Sequence, residues 1–236
     1  MRRQKQASEA RGISRRKTTE LIADRVNSRR SWPHKHPVIS ALLVRWVCLL
    51  SFLMFPIISR AGDVKGRVTI AGGTSNANAV IYIETVDSVF DPPAKPAVMD
   101  QNHLAFKPEV LPILAGTAVQ FLNSDEVLHD VFTPSPCAGS FNLGSFPPGE
   151  SKTYTFSKAG CDALILCDIH PEMQAWVVVL QNPYFAVSGK DGNYVIKGIP
   201  AGTYSLRTWF GYYNSQSVRI TVPRAGSVSA DFQLKQ

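Results

Sequence analysis

"CDALILCDIHPEMQAWVVVL", Cys161 to Leu180, is the stretch on which the reading of the whole chain turns. "CDALILC" is a short apolar run that reads as a buried strand, and "MQAWVVVL" is a second one. Between them Cys167, His170 and Met173 stand three positions apart. A thiol, an imidazole and a thioether are soft or borderline metal ligands. A strand that delivers Cys167, followed by a short turn, swings His170 and Met173 back toward the same point. The set needs one more ligand, from another β-segment. "FLNSDEVLHDVF" (Phe121–Phe132) supplies His129, 38 positions before Cys167. Two imidazoles, one thiolate and a weak thioether form the donor set that suits copper electron transfer. Thiolate and thioether hold Cu(I) and imidazoles also suit Cu(II), so one site serves both states with little rearrangement.

Outward from that stretch the pattern is short strands between Gly, Pro, Asn and Asp turns. "KGRVTIAG" and "NAVIYIETV" read as strands joined by "GGTSNA", and "DPPAKPA" as a Pro-rich link. "VLPILAGTAVQFLN" reads as strand, turn and strand, and "ESKTYTFSKAG" alternates polar and apolar residues. "YFAVSGKDGNYVIKGIPAGTYSLRTWF" reads as a hairpin over "GKDG", a "PAG" turn and a further strand. "QSVRITV" and "SVSADFQL" close the chain. No segment after Gly62 shows a long helical period, and the expectation is an all-β sandwich.

The formal charge of +7 over 236 residues divides unevenly. Residues 1–61 carry 13 Lys/Arg against 3 Asp/Glu, and residues 62–236 carry 12 against 15. The basic balance belongs to the leader, and the mildly acidic remainder gives no argument for nucleic acid. The leader has a basic polar region, the apolar run "VISALLVRWVCLLSFLMFPIIS" and Ser59 and Ala61 before Gly62. That is the pattern of export with cleavage after Ala61, into the periplasm. The alternative is an uncleaved anchor facing the periplasm, since the run is nearly long enough to span. Cys48 lies inside the run without the small residues expected before a lipidated cysteine. After cleavage Cys137, Cys161 and Cys167 remain. With Cys167 as a ligand, Cys137 and Cys161 are free to pair in an oxidising compartment.

Residues from about Phe106 to Leu180 resemble a cupredoxin. "FKPEVLPILAGTAVQFLNSDEVLHDVF", "FPPGESKTYTFSKAG" and "CDIHPEM" carry the resemblance. The C-x-x-H-x-x-M spacing is similar to the ligand loop of amicyanin. With "NPYFAVSGKDGNYVIKGIPAGTYSLRTW" after it, the chain looks like the methylamine-utilisation-type, plastocyanin-like proteins of bacteria. The resemblance implies a Greek-key sandwich with one type 1 copper ion on His129, Cys167, His170 and axial Met173. It also implies that the edge of His170 lies near the surface where electrons cross. One departure is Asp130, where cupredoxins usually place an Asn that ties two ligand loops together; a carboxylate cannot donate as an amide does.

The tail resembles the carboxypeptidase regulatory-like module, a small transthyretin-like sandwich. That module normally opens with a pair of strands like those of "VKGRVTIAGGTSNANAVIYIET", here placed before the copper region. Two organisations follow. In one, residues 63–90 and 183–236 form a sandwich interrupted by a cupredoxin at 97–182; in the other, two domains stand in sequence.

Tetrahedral zinc is the rival for the site, and Met173 and the single thiolate argue against it. His103 reads as a surface residue, Trp176 and Phe121 as core, and Asp168 and Glu172 as charges around a docking patch. There is no nucleophile with a nearby base, no phosphate loop and no paired carboxylates in a recognisable setting, so no catalytic residue is assigned and no enzyme expected. The leading expectation is a periplasmic carrier of single electrons between redox partners. The alternatives are a copper-delivery protein and a structural β module with a vestigial site. A membrane is a partner only if the leader stays uncleaved.

Overall fold

The computed structural model describes residues 61–73 and 75–235. The leader reading, with Cys48, lies outside the described residues apart from Ala61. Strand β1 (Ala61–Ile70) begins at that residue, so cleavage after Ala61 leaves all but its first position in place. β2 (Val80–Ile83) follows. Then come β3 (Ala97–Gln101), β4 (Phe106–Lys107), β5 (Val110–Leu114), β6 (Thr117–Asn123) and β7 (His129–Phe132). A short 3-10 turn, Pro136–Ala138, precedes β8 (Asn142–Phe146), β9 (Ser151–Phe156), β10 (Cys161–Leu166) and β11 (Gln174–Leu180). The chain closes with β12 (Phe185–Val187), β13 (Asn193–Pro200), β14 (Gly202–Trp209), β15 (Ser217–Val222), β16 (Ser227–Ser229) and β17 (Phe232–Leu234). The protein is all-β, as its sequence pattern requires.

Two pairs of sheets form two cores. The inner pair has the orders β4-β3-β6-β9 and β5-β11-β10-β7-β8. It closes over Met99, Val119, Phe121, Phe156, Ile165 and Val177. The outer pair takes strands from both ends of the described chain. β1 runs antiparallel to β13 and parallel to β16 and β17, while β2 lies between β12 and β14, with β15 beyond. Its core holds Val68, Ile81, Ile196, Leu206 and Leu234.

The uninterrupted run "VVVL" of β11 has a simple cause. Val177 and Val179 face the inner core, while Val178 and Leu180 meet Val80 and Trp209 of the outer sandwich. A strand covered on both faces has no place for the polar half of an alternating pattern. Trp176 belongs to this junction rather than to the inner core. Its ring centroid stands 5.3 Å from that of Trp209 and 5.4 Å from that of Tyr212.

"GKDG" does not make a hairpin, because β12 pairs with β2 and β13 with β1, in different sheets. Splitting the strands places Tyr194 and Ile196 across the outer core from Ile81 and Ile83. "SVSADFQL" forms two strands, broken at Ala230, whose N–H donates to the Lys65 carbonyl at 2.9 Å. Gly66 permits that approach, since a Cβ on it would fall 1.7 Å from the Ala230 oxygen. β3, β4 and β8 had no clear signal in the sequence. Cys137, in the 3-10 turn, is joined by a disulfide to Cys161, the first residue of β10.

Candidate metal centre

β7 and β10 are neighbours in one sheet and pair where their ends meet, Leu166 opposite Phe132. That adjacency brings His129, the first residue of β7, to the ligand loop. The loop starts with Cys167, one residue past β10, and ends with Met173, just before β11. The Met173 N–H donates to the His170 carbonyl at 2.9 Å and closes the turn. Donor atoms of His129, Cys167 and His170 all lie within 4.8 Å of one another. Cys167 Sγ stands 3.9 Å from His129 Nδ1 and 3.9 Å from His170 Nδ1, and the two Nδ1 atoms are 3.0 Å apart. A metal ion with bonds of about 2.0 Å to nitrogen and about 2.3 Å to sulfur spaces its donors roughly 3 to 4 Å apart. These three side chains meet that spacing as they stand. Met173 is 1 % exposed and lies in the same apolar cluster as Cys167.

The donors differ in their access to water. His129 is fully buried and Cys167 is 2 % exposed, while His170 is only partly covered. Among the described residues Cys167 is the one free cysteine. Burial pushes its thiol up; the backbone N–H of Asp130 pulls it down, the Asp130 carboxyl raises it, and the N–H groups of His170 and Ile169 lower it. A bound cation ionises a coordinating thiol outright, and those N–H groups are already turned toward the charge.

Two carboxylates brace the site. Asp130, 4 % exposed, accepts the Asp168 N–H at 2.7 Å. Its carboxylate oxygen therefore ties β7 to the ligand loop by accepting, a bond that an Asn amide oxygen would also make. Asp125 takes the far edge of the buried imidazole, with His129 Nε2 donating to Oδ2 at 3.0 Å. That bond fixes the tautomer and leaves Nδ1 free to face the sulfur. Asp125 is itself held by an unusual turn. His103 and Leu104 both adopt left-handed φ, 58° and 54°, a conformation that costs a side-chain-bearing residue about 1–2 kcal/mol. The turn directs their N–H groups onto Asp125, 2.6 Å to Oδ1 and 2.9 Å to Oδ2. Burial opposes the charge on Asp125, yet the Leu104 and His103 N–H groups and the His129 ring outweigh it and hold the carboxyl below its usual range. Asn123 completes the brace by donating to the Val127 and Phe146 carbonyls at 2.9 and 3.0 Å.

His103 is exposed, as its reading as a surface residue has it, but its backbone serves the site. Asp168 and Glu172 are exposed. Asp125 was not singled out from the sequence. Its signal was an acidic residue four positions before His129. Exposed apolar side chains lie on the same segments: Leu104, Val127, Leu128 and Ile169.

No protein-family model matches the chain. No curated protein matches it either. Among solved structures it is similar to a "Cu-containing nitrite reductase (NirK) from Thermus scotoductus SA-01", at 26% identity and a TM-score of 0.36, covering 42% of this chain and 25% of that one. It is also similar to amicyanin from Paracoccus versutus, at 23% identity and a TM-score of 0.34, covering 42% of this chain and 96% of that one. A third is a purple cupredoxin from Nitrosopumilus maritimus, at 22% identity and a TM-score of 0.32, covering 35% and 98% of the two chains.

Proposed function

We propose that the protein is a blue copper protein that carries single electrons between redox partners, in which His129, Cys167, His170 and Met173 would hold one type 1 ion. The observation that carries this reading is the convergence of His129 Nδ1, His170 Nδ1 and Cys167 Sγ on one point, with Met173 buried at the end of the same loop. Zinc would fit three of these donors. The thioether favours copper, because soft sulfur ligands select Cu(I). Bound there, copper supplies a one-electron couple. The chain supplies the frame: β7 and β10 fix the donors, Asp130 and Asp125 brace them, and burial of His129, Cys167 and Met173 excludes water. His170, the least covered donor, is the point of electron entry and exit. The exposed apolar side chains on the segments that form the site, Leu104, Val127, Leu128 and Ile169, suit brief docking, since weak redox encounters use small interfaces with charge at the rim.

Burial of three of the four ligands favours a carrier over a delivery protein, which needs exposed, labile ones. With four protein ligands no position is left for a substrate, and we assign no enzymatic activity. On the leader pattern we place the carrier in the periplasm, or anchored to face it, with a periplasmic redox protein as its partner. We further propose that the chain is a carboxypeptidase regulatory-like sandwich, residues 63–90 and 183–236, interrupted by a cupredoxin at 97–182. Pairing of β1 with β13, β16 and β17 supports that division.

The test is titration of the full-length protein with Cu(II). One equivalent should give an intense thiolate-to-copper absorption toward the red of the visible and a reversible one-electron couple. Cys167→Ser should remove the colour. A colourless copper adduct would sink the assignment, and a coloured adduct without a reversible couple would leave copper handling as the better reading.

A further inference from the structure

Four apolar side chains on the segments that form the candidate metal centre, Leu104, Val127, Leu128 and Ile169, are 41–48 % exposed. Next to Ile169 in the loop, His170 is only partly covered and Pro171 is exposed. The segments meet at the site. The Leu104 N–H and the His129 ring both bond to Asp125, and His129 and His170 bring their Nδ1 atoms 3.0 Å apart. Exposed apolar groups gathered at one place and rimmed by polar ones mark a protein-interaction surface. The charge of the rim decides which partner fits.

That rim is acidic. Asp168 stands two positions before His170 and Glu172 two after it, both exposed. Glu126, exposed, follows Asp125. Glu150, also exposed, lies beside Asn123, whose N–H donates to its carbonyl at 3.0 Å. Between Lys107 and Lys152, and again between Lys158 and Lys190, the chain has no lysine or arginine. Those two stretches carry His129 and the whole ligand loop. Residues 91–182 hold 4 Lys/Arg and 10 Asp/Glu, whereas residues 62–90 and 183–236 hold 8 and 5. The acidic excess of the exported part therefore belongs to the inner sandwich alone.

The four lysines of the inner sandwich do little to offset it at this end. β6 pairs with β9, Leu122 opposite Ser151 and Thr117 opposite Phe156, and with β3, Val119 opposite Ala97. Asn123 closes the metal end of β6, so Lys95 and Lys158 lie toward the other, about 20 Å away at about 3.3 Å per residue. Lys152 is near the metal end, but its Nζ is held by the Leu143 and Ser145 carbonyls at 2.6 and 3.2 Å. Lys107 remains, 3.4 Å from Asn102 Oδ1.

Resting on the carrier reading, we propose that this end of the molecule is the docking surface for a basic redox protein, one that presents lysines or arginines around an exposed, apolar cofactor edge. Asp168, Glu172, Glu126 and Glu150 meet its cations, and Ile169, Val127 and Leu128 meet the edge. The same carboxylates repel an acidic partner, since like charges across an interface suppress the wrong encounter.

The probe is a reduced, basic c-type cytochrome with lysines around its haem edge, set against the same cytochrome with those lysines succinylated. Each is titrated into the Cu(I)-loaded full-length protein while backbone amides are followed by NMR. With both proteins reduced, docking is read without electron transfer. The full chain carries +7, so net charge alone would favour the succinylated form. At 0.1 M salt the Debye length is about 10 Å, and the local carboxylates decide. The basic cytochrome should shift the amides of Glu126 to Leu128 and of Asp168 and Ile169 saturably, with Val195 of the outer sandwich unmoved; the succinylated form should shift none. Asp168→Asn with Glu172→Gln should weaken binding about three- to tenfold, and Asp87→Asn, an exposed carboxylate of the outer sandwich, should stay within about twofold. Equal binding of the succinylated form, shifts confined to other surfaces, or a double variant that binds as tightly as the native protein would each overturn the proposal. A chain that loads copper with a reversible couple yet shows no such shifts refutes the docking surface alone; one that takes no copper overturns the carrier reading together with it.

Discussion

Replacing Asp125 with Asn tests whether the outer carboxylate governs the metal site. The change keeps size and removes one charge. The native carboxylate accepts three donors, the His103 N–H, the Leu104 N–H and His129 Nε2. An amide offers one oxygen, so its NH₂ must face a donor on one side. The larger effect is electrostatic. With Oδ2 at 3.0 Å from His129 Nε2, the charge stands across one imidazole ring from the metal position. At a separation of about 7 Å and an effective dielectric of about 20, a unit charge contributes about 2.4 kcal/mol. At 59 mV per 1.4 kcal/mol for one electron this is about 100 mV. The Asp125 side chain is 15 % exposed, so solvent lowers the figure, and the expected range is about 50–100 mV. The sign follows from charge: a carboxylate stabilises Cu(II) over Cu(I), so Asp125→Asn raises the reduction potential. Spectroelectrochemical titration of the copper-loaded protein gives the value. Glu126→Gln is the control, because it removes the same charge one residue away from a side chain that is exposed. A potential that stays within about 20 mV of the native one, or that falls, refutes the reasoning. Equal shifts in both variants would show a general field effect rather than the His129 contact.

Asp130→Ala frees the Asp168 N–H and unties the ligand loop from β7, and should weaken copper affinity about five- to thirtyfold, whereas Asp130→Asn keeps an acceptor and should stay within about threefold; competition with a chelator measures both. Serine at Cys137 and Cys161 together opens a loop of sequence separation 24 and should cost about 3.5 kcal/mol in denaturant unfolding, with the copper colour retained. Gly66→Ala drives a methyl into the Ala230 carbonyl and should destabilise the protein by about 1–3 kcal/mol; a variant as stable as the native chain would show that β16 and β17 do not hold against β1.

Class and strand content were readable because short alternating runs with frequent turns have few other outcomes. Sheet membership was not. The turn "GKDG" looks like a hairpin because local sequence records the reversal but not which edge each strand joins. β12 and β13 part company over contacts with residues more than a hundred positions earlier, Val80–Tyr82 and Ala61–Arg67. The run "AWVVVL" showed a strand without alternation, and only the second sandwich on its outer face explains why none was present. β3 and β4 are short and carry polar residues such as Asp100 and Lys107, so neither announced itself.

At the candidate metal centre the side chains that converge are of ligand type, and type plus spacing made them visible. What braces them is mostly backbone. Asp130 receives the N–H of Asp168, and Asp125 receives those of His103 and Leu104. A backbone N–H belongs to almost every residue, so no letter in the sequence marks it as a donor to a particular carboxylate. The left-handed turn at His103 and Leu104 is still less legible, because Leu has no preference for that conformation and adopts it only where the gain exceeds the strain. The charge of Asp125 supplies the gain, since hydrogen bonds to an ionised acceptor are about twice as strong as neutral ones. The Asp130 departure follows the same physics. An Asn and an Asp at this position both present an oxygen to the ligand-loop N–H, so the tether survives the exchange. Around Cys167 burial raises the thiol most and the hydrogen bond to the Asp130 carboxyl adds to it, while the N–H groups of Asp130, His170 and Ile169 pull the other way without cancelling the rise.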